Sequence, residues 1–396
     1  MTLRVSSKIQ NIHFPPISEV KGWISGRTFP ATKPLVDLCQ AIPDDSPPAQ
    51  LLDHLKEKLD DPLVNRYSPD EGLSEVREEI CGWYDRRYSA AIKPEEICLT
   101  IGASQAFWLA MTVLCAAGDE VILQLPAYFD HPMGLQAMGI KPVYAPYDAA
   151  NGGLPDRNSI ASLITPRTRA ILLVTPSNPT GAVIPPELLQ ELFQLARKHS
   201  IALVLDETYN AFIGAAPHDL FREEDWGDTL VHLSSFGKTF ALTGFRAGAL
   251  LAAQEFIHHA LKAQDAMAVC QPRITQHAVG YGCKYLDFWV DDNARMMQRR
   301  HDQFREAFHR EGNPFILEAS GSFFAWVRHP WPKLTGRQAA RKLVDEANLI
   351  CLPGEVFGPG LEGYLRLAFG NLQEANIAAA VERFSQIKNC SAAEPI

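Results

Sequence analysis

The chain has 396 residues, 46% hydrophobic and 21% charged, the composition of a soluble globular protein long enough for two domains. Its 37 basic and 46 acidic residues leave a net charge of −9, and with no Lys/Arg-rich run this argues against nucleic acid as a partner. No segment approaches the roughly 20 apolar residues that span a bilayer, so a membrane is not expected as a partner either.

The N-terminus, MTLRVSSKIQNIHFPP, lacks the apolar core of a secretion signal. Eight scattered cysteines without a C-x-x-C pair read as reduced thiols, so a cytoplasmic location is expected and a metal site is not. From about Asn65 to Gly248 helix and strand patterns alternate. Apolar residues at three- and four-residue spacing predict helices at Leu73–Tyr88, Ser104–Ala116 and Pro186–His199. Short Val/Ile/Leu-rich runs at Ile97–Ile101, Glu120–Leu125, Ala170–Thr175, Ala202–Leu205 and Thr229–Leu233 read as strands covered on both faces. That alternation predicts an α/β fold with a largely parallel sheet. A long helical region, Gln254–Glu311, leads to strands at Ser322–Val327 and Tyr364–Phe369 and helices at Arg337–Ala347 and Glu374–Ile387, a smaller α+β domain. The last residues, CSAAEPI, read as disordered. The expected division is an N-terminal arm with part of the small domain (1–48), a large domain (49–280) and a small C-terminal domain (281–396).

Ligands of parallel α/β sheets bind beyond the carboxyl ends of the strands, so the residues following each strand are the candidates. Gly102-Ala103-Ser104 open a helix whose free N–H groups suit a phosphate, although Ser104 could simply cap that helix. Tyr128 offers a ring for stacking on a heteroaromatic group, or for core packing. Asn178, in the rigid turn PSNPTG, projects an amide. Asp206 ends a buried strand and needs a partner there, either a protonated pyridine nitrogen or a neighbouring helix end. Tyr209 could donate to a phenolic oxygen.

The segment SSFGKTFALTGFRAG places Lys238 among small residues, suited to forming an imine with a carbonyl cofactor. Ser235 and Arg246 could hold that cofactor's phosphate. Other readings of the segment are weaker. The P-loop match fails because His232 stands where a glycine is required. The S-x-x-K match lacks its S-D-N and K-T-G partners. A solvated surface lysine is the bland alternative. Gly358–Gly363 satisfies G-x-G-x-x-G but precedes a strand rather than opening a helix, so it is a turn or chance. The set as a whole suits pyridoxal 5'-phosphate.

With NRYSPDEGL, TIGASQA, LPAYFD, PSNPTG, LDETY, SSFGKTFALTGFRAG and YLRLAFG in this order, the chain resembles a class I/II aminotransferase of the fold-type I pyridoxal-phosphate superfamily, from about Val36 onward. The resemblance implies an aspartate-aminotransferase-like large domain with a mainly parallel, seven-stranded type of sheet. It implies that Lys238 is the Schiff-base lysine and proton shuttle, that Asp206 holds the pyridine nitrogen, and that Asn178 and Tyr209 bond the ring hydroxyl beneath stacked Tyr128. Gly102, Ala103, Ser104, Ser235 and Arg246 match the phosphate cradle. Tyr67 matches a tyrosine that reaches the neighbouring subunit's phosphate, which implies a homodimer. Arg366 matches the arginine that grips an α-carboxylate, with Ala41 and Ile42 near the substrate. Gly237 and Ala41 depart from the commoner serine and glycine. Arg273 is expected to form an interface salt bridge, with a distal anionic group as its other reading. The implied reaction moves an amino group from an L-amino acid to a 2-oxo acid. The alternatives are a β-lyase on the same scaffold, or a regulator without turnover, which is not expected because the residues ahead of a cofactor domain beginning near Ala49 leave no room for the DNA-binding module of such regulators.

Overall fold

Seven apolar runs between Ile97 and Leu251 assemble into one sheet, in a computed structural model that describes residues 3–43, 46–214 and 217–387. They are β1 (Ile97–Ile101), β2 (Glu120–Gln124), β3 (Lys141–Ala145), β4 (Thr168–Val174), β5 (Ala202–Asp206), β6 (Leu230–Ser234) and β7 (Ala247–Leu251), in the spatial order β1-β7-β6-β5-β4-β2-β3. All pairings are parallel except those of β7, which runs antiparallel to both β1 and β6. The carboxyl ends of β1, β2, β4, β5 and β6 therefore share one edge with the start of β7.

The sheet is covered on both faces, which is why its strands read as continuous apolar runs. Side chains alternate across it. Leu203 and Leu205 enter one core with Tyr84 and Phe193, while Ala202 and Val204 enter the other with Phe107 and Met111. The covering helices include α1 (Ser74–Tyr88), α2 (Gly102–Leu114), α3 (Asp130–Met138) and α4 (Pro186–Lys198). In α4 a proline at the first turn starts the helix, and Leu189, Leu192, Phe193 and Ala196 form its buried stripe.

The long helical region expected at Gln254–Glu311 consists of three helices: α5 (Gln254–Ala268), α6 (Arg273–Tyr285) and α7 (Asp287–Phe308). Val269, at φ 60°, and Pro272 break the first junction. A second sheet has the order β10-β11-β9-β8, built from β8 (Ile316–Gly321), β9 (Phe324–Arg328), β10 (Leu352–Pro353) and β11 (Tyr364–Ala368). The sequence reading missed β8 and merged the turn at Ser322 (φ 48°) into β9. Helices α8 (Gly336–Ala347) and α9 (Glu374–Ser385) pack on this sheet. The predicted tail 390–396 lies outside the described residues.

Val36–Asp37 pairs in parallel with Leu349–Ile350, and Ala368 N–H donates to the Leu38 carbonyl at 2.8 Å. This tether carries the N-terminal segment past the second sheet to the edge of the first. Among the described residues no helix is long and apolar enough to cross a membrane.

Candidate active site

At the shared strand edge, β1 runs directly into α2. The helix starts at Gly102, two residues earlier than expected, so Ser104 lies inside its first turn and does not cap it. Gly102 has φ +74°, and a Cβ there would lie 2.7 Å from Arg246 Nη2. Gly248 of β7 likewise stands against the Gly102–Ala103 backbone. The two glycines let a guanidinium and a helix start meet, and the unpaired N–H groups of that 13-residue helix favour an anion. Arg246 reaches this edge because β7 is antiparallel and begins where its neighbours end. Buried Gln271 ties the strands beneath, donating to the carbonyl of Thr100.

Lys238 sits in the helical turn Phe236–Thr239, just beyond β6 and Ser235. Its Nζ donates to the Ala41 carbonyl at 2.6 Å and lies 5.7 Å from the centre of the Tyr209 ring. Burial, and then the charges of Arg246 and Arg366, bring this amine from 10.5 to about 8. The lysine is thus neither surface decoration nor locked in its charged form.

Asp206 ends β5, and its Oδ2 lies 3.2 Å from His131 Nε2, with Thr208 N–H on Oδ1 at 3.0 Å. Burial alone would raise this carboxyl, but the bond and charge of His131, followed by Thr208, hold it below the usual carboxylate range. The Tyr128 ring meets His131 edge-on at 5.2 Å and 86°, and its hydroxyl donates to Asp130 at 2.5 Å. Burial pushes the Tyr209 phenol up, so it stays a neutral donor.

Arg366 in β11 is 1% exposed. One Nη donates to Asn178 Oδ1 at 3.2 Å and the other to the Cys39 carbonyl, whereas Nε has no partner among the described residues. A buried guanidinium on the cavity wall, braced by an amide and a backbone carbonyl, is a fixed positive charge for an incoming carboxylate.

All of the expected site residues except Tyr67 line one cavity of about 590 Å³, including Ala41 and Ile42. Tyr67 is 77% exposed and outside it. Arg273 donates to the carbonyls of Arg66 and Tyr67 at 2.9 and 3.0 Å, so within one chain it holds the Tyr67 segment in place. The sequence reading missed His131, although it follows LPAYFD directly, because only the first residues after each strand were weighed. It also missed Ile12 and Ile17, which reach the cavity from an N-terminal segment without strand periodicity.

Behind Asp206, on the opposite face of the sheet, Glu207 is 2% exposed. It accepts from His232 Nε2 at 2.8 Å and Tyr88 Oη at 2.6 Å, with His218 Nε2 at 3.5 Å. Burial would raise this carboxyl, but His218 and then His232 outweigh it and hold it well below the usual range.

The family model for aminotransferase class I and II matches residues 33–384. The chain belongs to this family. It is an aminotransferase, and the family is pyridoxal-phosphate-dependent. It is 26% identical over 385 residues to the aromatic aminotransferase ISS1 of Arabidopsis thaliana, covering 96% of this chain and 95% of that one. It is 27% identical over 360 residues to an aspartate aminotransferase of Pyrococcus abyssi, covering 90% and 92%. Among solved structures, the aspartate aminotransferase of Thermus thermophilus with maleate superposes at TM-score 0.87 with 25% identity, covering 97% and 100%. The aminotransferase thus has the aspartate-aminotransferase-like fold expected of it, and the β-lyase alternative is not favoured.

Proposed function

We propose that this aminotransferase binds pyridoxal 5'-phosphate in the 590 Å³ cavity and exchanges amino groups between L-amino acids and 2-oxo acids there. The single observation that carries the reading is the buried amine of Lys238, brought down to about 8, sharing one cavity with the Asp206–His131 pair and Arg366. The donor set also fits the cofactor part by part. The Gly102–Ser104 helix start, Ser235 and Arg246 would hold its phosphate, a cradle that a Cβ on Gly102 would fill. Tyr128 would lie against its ring, Asp206 would hold the ring nitrogen protonated, and Asn178 and Tyr209 would bond its hydroxyl. When bound, the cofactor supplies a carbonyl that captures the amine and a ring that accepts the electrons left on Cα.

The chain's own residues do the rest. Arg366 holds the substrate α-carboxylate, with Asn178 bracing the guanidinium. Lys238, uncharged over much of its population near pH 8, takes the α-proton from one carbon and returns it to another. Asp206 stays anionic because His131 bonds it, so the opposing positive charge persists through the reaction. Tyr67, exposed within one chain, is proposed to complete the phosphate site of a second copy, which makes the working unit a homodimer. A division into a large and a small domain is supported by the separate cores of the two sheets, the first of which runs on past residue 280 to Val290. A cytoplasmic location is proposed from the free, unpaired state of the described cysteines.

The test is a half-reaction. Cofactor-loaded enzyme mixed with an amino acid and no acceptor should release about one equivalent of 2-oxo acid per site, and Asp206→Ala should slow this by several orders of magnitude. Continuous release of pyruvate with ammonia or thiol would overturn the assignment, as would full turnover by Asp206→Ala.

A further inference from the structure

The tip of the β8–β9 hairpin meets Arg366, Tyr209 and the Asn178 turn at once, without itself lining the cavity. Gly321 and Phe324 pair across the turn Ser322–Phe323, where Ser322 takes φ 48°. Strand β9 then runs antiparallel to β11, with Phe324 opposite Ala368 and Trp326 opposite Arg366. Residues two apart share a face of a sheet, so Phe324 and Arg366 are diagonal neighbours on the face that Arg366 turns to the cavity.

The Arg366 guanidinium lies 5.1 Å from the centre of the Phe324 ring and 5.7 Å from that of Phe357. Asn178 and the Cys39 carbonyl hold its edge, while the rings hold its plane. The Phe324 ring also meets the Tyr209 ring edge-to-face, at 5.0 Å and 86°. Phe324 is fully buried and has no polar atom, so what it gives these two neighbours is orientation.

At the other end of the turn, Gly321 stands against Gly181, which closes the PSNPTG turn carrying Asn178. A Cβ on either glycine would overlap the backbone of the other. Gly181 has φ +75°, but Gly321 ends a strand, and there only the close approach calls for glycine. The tip thus bears on both members of the Arg366–Asn178 bond, from Phe324 on one side and from Gly321 on the other.

We propose that Phe324 and Gly321 are positioning residues of the site. Phe324 fixes the direction in which Arg366 presents its charge, and Gly321 fixes the distance at which the Asn178 turn meets it. This rests on the reading that Arg366 takes the substrate α-carboxylate.

Two ligands without an α-proton test it on the holoenzyme. 2-Methylalanine carries an amine and an α-carboxylate, and tert-butylamine carries the amine with a methyl in place of that carboxylate. Titrations followed by the bound cofactor's absorbance should show 2-methylalanine binding Phe324→Leu about 10-fold more weakly than wild type, the scale of one desolvated cation–ring contact. tert-Butylamine should bind the two within about twofold. In turnover, KM for the amino acid should rise by about 10-fold while kcat changes less, as expected when ground-state and transition-state binding are lost together. Gly321→Ala, which keeps every side chain of the site, should reproduce the pattern. Equal binding of 2-methylalanine by wild type and either variant would overturn the inference, and so would an equal loss for both ligands, which is what a general defect in folding gives. Failure of the wild type to release a 2-oxo acid from any amino acid would overturn the functional reading, and this one with it.

Discussion

Replacing Lys238 with methionine should stabilise the cofactor-free protein at neutral pH. The amine falls from 10.5 to about 8 on folding, chiefly through burial. At about 1.4 kcal/mol per unit, holding the charged form in the cavity costs roughly 3 kcal/mol. The hydrogen bond to the Ala41 carbonyl, worth about 1 kcal/mol, offsets part of this and is lost in the variant. A net gain of roughly 2 kcal/mol remains. Unfolding entropy of about 2 cal/mol/K per residue converts that into roughly 2–3 °C for a chain of 396 residues. The sign depends on pH. Between about pH 8 and 10.5 the folded chain has released a proton that the unfolded chain still binds, so wild-type stability rises across this window. Thermal unfolding of both cofactor-free proteins at pH 7 and pH 10 measures the effect. The variant should lead at pH 7, and its lead should shrink by pH 10. A lead of equal size at both pH values, or a less stable variant at pH 7, would refute the argument.

Glu207→Gln should cost about 3 kcal/mol, because it removes the charge that His218 and His232 face in the core. The folded carboxyl lies well below its unfolded value of about 4.3, so the contribution is complete above that pH and fades as pH falls beneath it. Melting curves of variant and wild type should therefore converge in acid, and a constant gap would count against the charge argument. His131→Phe keeps the ring contact with Phe107, 4.7 Å between centres, but strips Asp206 of its partner. Turnover should fall by roughly 10- to 100-fold, the range that outer partners control at other charged sites, and the acid limb of the pH–rate profile should move up. Gly102→Ala sets a Cβ 2.7 Å from Arg246 Nη2 at a φ of +74°, so cofactor affinity should weaken by roughly 10-fold in titrations of the cofactor-free protein. Unchanged affinity would remove Gly102 from the phosphate site.

Five strands of the first sheet were legible because each is mostly buried and announces itself as an apolar run. Strand β3, which opens on exposed Lys141 and is only partly buried, and β7, which opens on Ala-Gly-Ala, were missed. Lys238, Asp206, Asn178 and Tyr128 were legible for a related reason, since each is a polar or aromatic residue directly beyond such a run. Arg246 precedes its strand, and only the antiparallel course of β7 explains why it belongs with the others. His131 was invisible to this rule, as its role depends on the first turn of α3 folding back over Asp206. The carbonyls of Cys39 and Ala41 were equally hidden, because backbone acceptors carry no residue-type signal. Strand β8 was lost because its side chains are only partly buried and Ile316 faces solvent.

Asp206 and Glu207 are consecutive acids that serve opposite faces of the same sheet. One addresses the cavity through His131, the other a core of aromatics and histidines. A slip of β5 by a single residue would exchange them. The cavity would then receive a carboxylate one methylene longer, and the histidines one that falls short. The same pairing of β5 with β4 and β6 that holds the strand in the sheet, Val174 opposite Asp206 and Asp206 opposite Leu233, thus also selects which acid the chemistry sees. Strand alignment is in this sense a specificity determinant, and insertions or deletions within 202–206 should abolish activity even where the fold survives.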